Sequence, residues 1–218
     1  MNPRVQDKGG GTLLCKLTRL QSCLEIIALL APIVLLTGCA TAPSSAPQAS
    51  AWTARQTRLT QLANWQVDGR IGVINGQQGW HANFQWAQQE PNYRIDLIGP
   101  LGQGRVVIAS DGQEVRVQTQ TGQTWAAPDP DDLLEQTLGV RLPVNGLRYW
   151  VRGLPAPGPT STLQTDAEGR LTRLEQNGWV IEYLIYAPTS IADLELPERV
   201  IAQHGELNIK LVIQQWTL

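Results

Sequence analysis

Trp65-Gln66-Val67-Asp68-Gly69-Arg70-Ile71-Gly72-Val73, a turn at Asn75-Gly76, and then Trp80-His81-Ala82-Asn83-Phe84-Gln85-Trp86 is the stretch that decides the architecture. In an extended chain Trp65, Val67, Gly69, Ile71 and Val73 share one side, while Gln66, Asp68 and Arg70 share the other. The second run alternates in the same way. One apolar face and one wet face is the pattern of antiparallel sheet packed on a core. Asn-Gly between two such runs signals a hairpin.

The pattern repeats outward. Tyr93, Ile95 and Leu97 alternate with Arg94 and Asp96; Val106 and Ile108 follow, then Asp111-Gly112, Val115 and Val117, and a short strand at Thr124-Trp125-Ala126. Later, Leu171 and Leu174 flank a strand, Asn177-Gly178 turns into Trp179, Ile181, Tyr183 and Ile185, and Leu207 to Ile213 alternates again. Between these blocks Asp129-Pro130-Asp131-Asp132 opens a helix with a cap, a proline at its first position and acids at the positive end of its dipole. Leu133, Leu134 and Leu138 form its apolar side and Gly139 stops it. A second short helix is predicted around Leu147–Val151, ahead of a rigid Pro155-Ala156-Pro157-Gly158-Pro159 connector, and an amphipathic helix over Thr53–Ala63 precedes the first strand. Ten or eleven strands and three helices result: a mainly β chain whose single antiparallel sheet bends strongly or closes.

Upstream lies a different kind of segment. Behind Lys16 and Arg19 comes an apolar run, Ile26 to Leu36, interrupted by Pro32. It is too short for a lasting membrane span and fits the apolar region of a secretory signal. It ends in Leu36-Thr37-Gly38-Cys39-Ala40, which resembles the lipobox of bacterial lipoproteins. The resemblance implies cleavage before Cys39, a diacylglyceryl group on its thiol and acylation of its new amino group. The plainer reading is a free cysteine that ends a secretory signal. Ala40 in place of Asp implies, by the same resemblance, the outer rather than the inner membrane. The chain then divides into a signal segment 1–38, a lipidated flexible tether 39–50 of uncharged Ala, Pro, Ser, Thr and Gln, and a domain 51–218. Residues 1–15 are long for a signal and are assigned no role.

Composition excludes several classes. The 218 residues carry 17 Lys+Arg and 19 Asp+Glu, so no basic field exists for nucleic acid. Without residues 1–38 the balance becomes 13 basic against 17 acidic residues, a net charge of −4. Cys15 and Cys23 leave with the signal, so Cys39 remains without a disulfide partner. Phosphate loops, nucleophile elbows and zinc-helix motifs are all missing. His81 and His204 have no partner at catalytic spacing, and the Asp129, Asp131, Asp132 cluster reads as a helix start rather than a calcium loop. No enzyme activity, cofactor or metal is expected.

Eight tryptophans against one phenylalanine is an unusual ratio. For any one of them a core position is the simpler reading. Together they suggest a curled sheet enclosing more volume than its own side chains fill, a hollow for an apolar ligand.

Trp65 with Gly69-Arg70, Phe84-x-Trp86, Tyr93-Arg94, Gly99-Pro100-Leu101-Gly102, Leu142-Pro143, Trp150-x-x-Gly153-Leu154-Pro155, Gly178-Trp179, Leu196-Pro197 and the terminal Trp216, behind a lipobox, are similar in kind and order to the LolB family of outer-membrane lipoprotein receptors. The resemblance implies an unclosed β-barrel with helices covering or plugging its opening. It also implies cargo lipoproteins, triacylated, received from a soluble periplasmic carrier of the LolA kind and inserted into the outer membrane. Strand parity then offers Trp80, Phe84, Trp86, Tyr93, Ile95 and Leu97, with Trp150 from the covering helix, as lining for the acyl-chain cavity. Leu101, flanked by Pro100 and Gly102, is expected to project from its loop, and the resemblance implies a part in membrane insertion; the alternative is a leucine tucked against the sheet edge. A monomer, anchored through Cys39 and facing the periplasm, is expected. The competing reading is an outer-membrane assembly scaffold with a filled interior; a lipid-modifying hydrolase lacks its catalytic residues, and Cys39 argues against a soluble carrier.

Overall fold

A computed structural model describes residues 46–218; the segment before them, which holds the expected signal and Cys39, lies outside the described residues. The first helix, α1 (Ala46–Thr60), leads into β1 (Asn64–Asn75), β2 (Gln78–Gln89), β3 (Asn92–Ile98), β4 (Val106–Ser110), β5 (Val115–Thr119) and β6 (Thr124–Ala127). Two helices follow, α2 (Pro130–Leu138) and α3 (Val144–Trp150). Strands β7 (Ser161–Thr165), β8 (Leu171–Gln176), β9 (Trp179–Pro188), β10 (Glu195–His204) and β11 (Leu207–Thr217) complete the chain.

All eleven strands join one antiparallel sheet in the order β6-β5-β4-β3-β2-β1-β11-β10-β9-β8-β7. Strands consecutive in the chain pair with one another except β6 and β7, and β11 returns to β1. Strands β6 and β7 remain unpaired edges, so the barrel does not close. Helices α2 and α3 are the chain that connects those two edges, and α2 packs on β5, β6 and α3. The helical cover is therefore the chain segment that joins the two open edges.

The alternation read from the sequence becomes burial. Along β1 the inward residues Trp65, Val67, Ile71 and Val73 are buried, while Gln66 and Arg70 are exposed. Asn177 and Gly178 both take positive φ, 53° and 77°, the two-residue turn whose twist matches the β8–β9 hairpin. A register shift between Asp68 and Gly69 bends β1 against β11.

The caps explain the helices. Asp129 accepts the backbone N–H groups of Asp131 and Asp132 at 2.8 and 3.1 Å, and α2 ends at Gly139. Helix α3 begins at Val144, three residues earlier than the sequence indicates. Helix α1 runs over Ala46–Thr60 rather than Thr53–Ala63, so it includes the last five residues of the segment expected to be tether. Three threonine hydroxyls, on Thr53, Thr57 and Thr60, donate to carbonyls one turn back along it. Leu59 anchors α1 in a small cluster with Leu154, Leu194 and Leu196. The buried Arg152 guanidinium closes its end by donating to the carbonyls of Leu62 at 2.7 Å and Leu59 at 3.4 Å. A cation there complements the negative end of the helix dipole.

Candidate functional site

Inside the curl the side chains leave a small hollow of about 30 Å³, lined by apolar groups alone. The sheet contributes Ile71, Phe84, Trp86, Ile95, Leu97 and Ile108, with Leu211 from β11. The cover contributes Leu142, Val144, Leu147 and Val151. Residues of β1, β4 and β11 meet around one space only because the sheet bends on itself. The hollow has room for a water or two, whereas ligand pockets generally run to about 300–1,000 Å³. With the cover in place the interior is closed and nearly full.

Four residues offered by strand parity, Phe84, Trp86, Ile95 and Leu97, face this space. The other three lie elsewhere. Tyr93 sits in an aromatic run, Trp216–Trp65–Trp86–Tyr93, with ring centroids 5.7, 5.4 and 6.3 Å apart. Burial pushes its hydroxyl well above the ordinary tyrosine value, so it stays neutral. Trp150 does not line the hollow; its ring lies 5.7 Å from that of Trp179, and its indole N–H donates to Gln176 at 3.0 Å. Trp80 is half-buried in a cleft beside the 99–104 loop. Most of the tryptophans form walls and pins; Trp86 alone among them lines the hollow.

Sequence reasoning placed Leu147 and Val151 on α3 but offered neither of them, nor Val144, as lining of the hollow. They recur at helical spacing, i, i+3 and i+7, and that stripe was the signal that marked the inner face of α3.

The cover is held by polar pins as well as by contact. The Asp131 side chain on α2 accepts the Val144 backbone N–H at 2.8 Å. Burial, with Asp129 nearby, raises its carboxyl to about 6. Gln176, itself buried, holds the far end of α3: its amide group also spans Ala156, accepting from the N–H and donating to the carbonyl, each at 2.8 Å.

The loop between β3 and β4 shows its apolar tip. Pro100–Gly102 forms a single tight turn, and Leu101 is 98% exposed with φ 58° and ψ 21°. That left-handed backbone costs a branched aliphatic residue about 1–2 kcal/mol. Nothing in the surrounding packing repays it. The loop base is rigid by contrast. Asp96 on β3 accepts Arg94 Nε at 2.7 Å and Arg105 Nε at 2.9 Å. Burial acts to raise this carboxyl, but hydrogen bonds from Arg105 and Arg94 outweigh it and hold the group below the usual range. Gln120 accepts the Gly104 backbone N–H at 2.9 Å.

Of the two histidines, His81 is exposed on β2, and His204 lies 5.3 Å from the Trp179 ring. Among the described residues no group of three or more His, Cys, Asp or Glu is placed to hold a metal ion, and no helix is long and apolar enough to cross a membrane.

Comparison with known proteins agrees with this architecture. The family model "Outer membrane lipoprotein LolB" matches residues 63–216. The chain is 39% identical over 189 residues to the outer-membrane lipoprotein LolB of Pseudomonas paraeruginosa, covering 84% of this chain and 91% of that one. It is 36% identical over 195 residues to that of Nitrosococcus oceani, covering 87% and 96%. Among solved structures, a LolA superfamily protein from Nitrosomonas europaea superposes with a TM-score of 0.50 at 9% identity, over 78% of this chain and 93% of that one. A putative outer-membrane lipoprotein-sorting protein domain from Vibrio parahaemolyticus gives 0.51 at 6%, over 78% and 90%. At such identities these structures speak to the fold alone.

Proposed function

The chain belongs to the LolB family of outer-membrane lipoproteins, a family of lipoprotein localisation, and from that membership we propose that it takes lipoproteins from a periplasmic carrier, shelters their acyl chains inside the curled sheet and passes them to the outer membrane. The observation that carries this reading is the hollow with no polar lining, covered by the helical segment that links the two unpaired edge strands. An acyl chain needs far more space than 30 Å³, so acceptance requires α2 and α3 to swing out and withdraw Leu142, Val144, Leu147 and Val151. The incoming chain then replaces those side chains against Phe84, Trp86, Ile95 and Ile108.

Direct handover is favourable because each CH₂ kept from water is worth about 0.8 kcal/mol. Transfer from carrier to receptor to bilayer needs no nucleotide if each host shelters the chains better than the last. The carrier is of the LolA kind, and the cargo is a triacylated lipoprotein. Cys39, outside the described residues, is the lipid attachment site that keeps the receptor at the membrane. Leu101, raised by Pro100 and Gly102, is the group that enters the bilayer and starts release.

The tight filling of the interior is what favours the other reading, an assembly scaffold that holds no acyl chain. One experiment separates them. The mature protein with benzoylphenylalanine at Leu147 is irradiated while a carrier delivers a triacylated lipoprotein, with the outward-facing Thr172 as the control position. Adducts on acyl chains at 147 and not at 172 are expected. Equal or absent labelling overturns the receptor reading.

A further inference from the structure

A second apolar recess lies beneath the Leu101 loop. Trp80 and Ala82 of β2, Val106 of β4, and Gly99 and Pro100 of the loop enclose a half-open cleft of about 340 Å³. Leu97 lines both this cleft and the closed hollow. The sheet register explains why. On the inner face Phe84, Leu97 and Val106 lie side by side across β2, β3 and β4. The row one step deeper, Trp86–Ile95–Ile108, belongs to the hollow; one step outward, Ala82 and Trp80 belong to the cleft. Hollow and cleft are therefore successive parts of one concave surface, with Leu97 as the partition. The cleft ends against a loop whose apolar tip stands in solvent, and its lining is mostly apolar, with His81 and Gln103 as its polar side chains.

Resting on the receptor reading above, we infer that this cleft is the exit site for a linear acyl chain, which slides past Leu97 along the inner face of β2–β4 and lies against Trp80 beneath Leu101 before it enters the bilayer. The occupant is an acyl chain because the cleft continues an all-apolar surface and offers no charged side chain to a headgroup. The cleft offers about 340 Å³ against about 30 Å³ for the hollow with the cover shut, so the exit site exists before the cover moves, whereas the interior has to be opened.

The test uses the mature protein, a triacylated lipoprotein on its carrier, and vesicles of phosphatidylethanolamine and phosphatidylglycerol. Benzoylphenylalanine replaces Trp80 in one variant and Leu147 in another. Acyl-chain adducts are expected at both positions, with those at 80 appearing later. Val106→Trp, which fills the cleft and replaces no residue that lines the hollow, is then combined with the probe at 147. Retained labelling at 147, which also shows that the variant folds, with loss of delivery to vesicles is the expected result. Labelling at 147 with none at 80, or delivery by Val106→Trp at the rate of the unaltered protein, overturns the exit site and leaves the receptor reading standing. No adduct at either position overturns both.

Discussion

The carboxylate of Asp131 on α2 accepts the backbone N–H of Val144, the first residue of α3, so one helix of the cover caps the other. This ties the stability of the cover to pH. Burial and Asp129 raise the Asp131 carboxyl to about 6, above its unfolded value near 4. Folding therefore takes up a proton between those values, and this group's contribution to stability falls as pH rises through the window and stays low above it. Asp131→Asn keeps an acceptor for Val144 and removes the charge. Urea unfolding should find the variant gaining on the unaltered protein by up to about 2 kcal/mol between pH 4 and pH 7, allowing for solvent screening. An equal gap at both pH values would count against the assignment.

Gln176 pins α3 to β8. Its replacement by Leu leaves Trp150 Nε1 and both backbone groups of Ala156 without their buried partner. A loss of about 2–3 kcal/mol is expected in denaturant unfolding. Amide exchange should quicken first in α3 and the Pro-rich connector. Uniform quickening across the sheet would show that the pin is not specific to the cover.

Gly69 and Gly72 are three residues apart on β1 and should respond in opposite ways. A Cβ at Gly69 would stand 2.4 Å from the Val212 carbonyl oxygen and 3.0 Å from Phe84, at the bulge that bends the strand. A Cβ at Gly72 meets nothing within 4 Å. Gly69→Ala should lower the melting temperature sharply, while Gly72→Ala should leave it unchanged or raise stability by about 0.5 kcal/mol. Thermal unfolding of the pair provides the comparison.

Leu101 has no packing to lose. Leu101→Asn relieves a left-handed backbone that asparagine tolerates better, so its melting temperature should equal or exceed that of the unaltered protein. Leu101→Glu should accept cargo from the carrier yet fail to deliver it to vesicles. Equal loss of acceptance and delivery would remove the insertion role.

Much of the fold was legible before any coordinates because a strand has a two-residue period. Trp65 to Val73 and Trp80 to Trp86 show their inward faces in the order of their letters. The hairpin at Asn177-Gly178 and the cap at Asp129 depend on residues that are neighbours in the chain, and local chemistry is enough to read them. The start of α1 was not legible: Ala, Pro, Ser and Gln at 46–50 carry no apolar stripe, yet they extend a helix that Leu59 and Arg152 dock further along. Parity was also too coarse for the site. It placed Trp80, Phe84 and Trp86 on one face, and they do share it, but Phe84 and Trp86 reach the hollow while Trp80 lies in the cleft near the loop.

From its letters alone this chain determined an antiparallel sheet, its turns and two helices between two blocks of strands, and made Leu101 a candidate for a projecting loop tip. What the tertiary structure decided is which of the inward residues meet. The bend of eleven strands brings Ile71, Ile108 and Leu211 around one space, seats Trp150 against the buried Gln176 rather than in the hollow, and sets Leu97 between the covered interior and an open cleft. The physical reason is range: periodicity and capping act over a few residues, whereas the curvature of a sheet sums small twists and bulges over strands far apart in the chain.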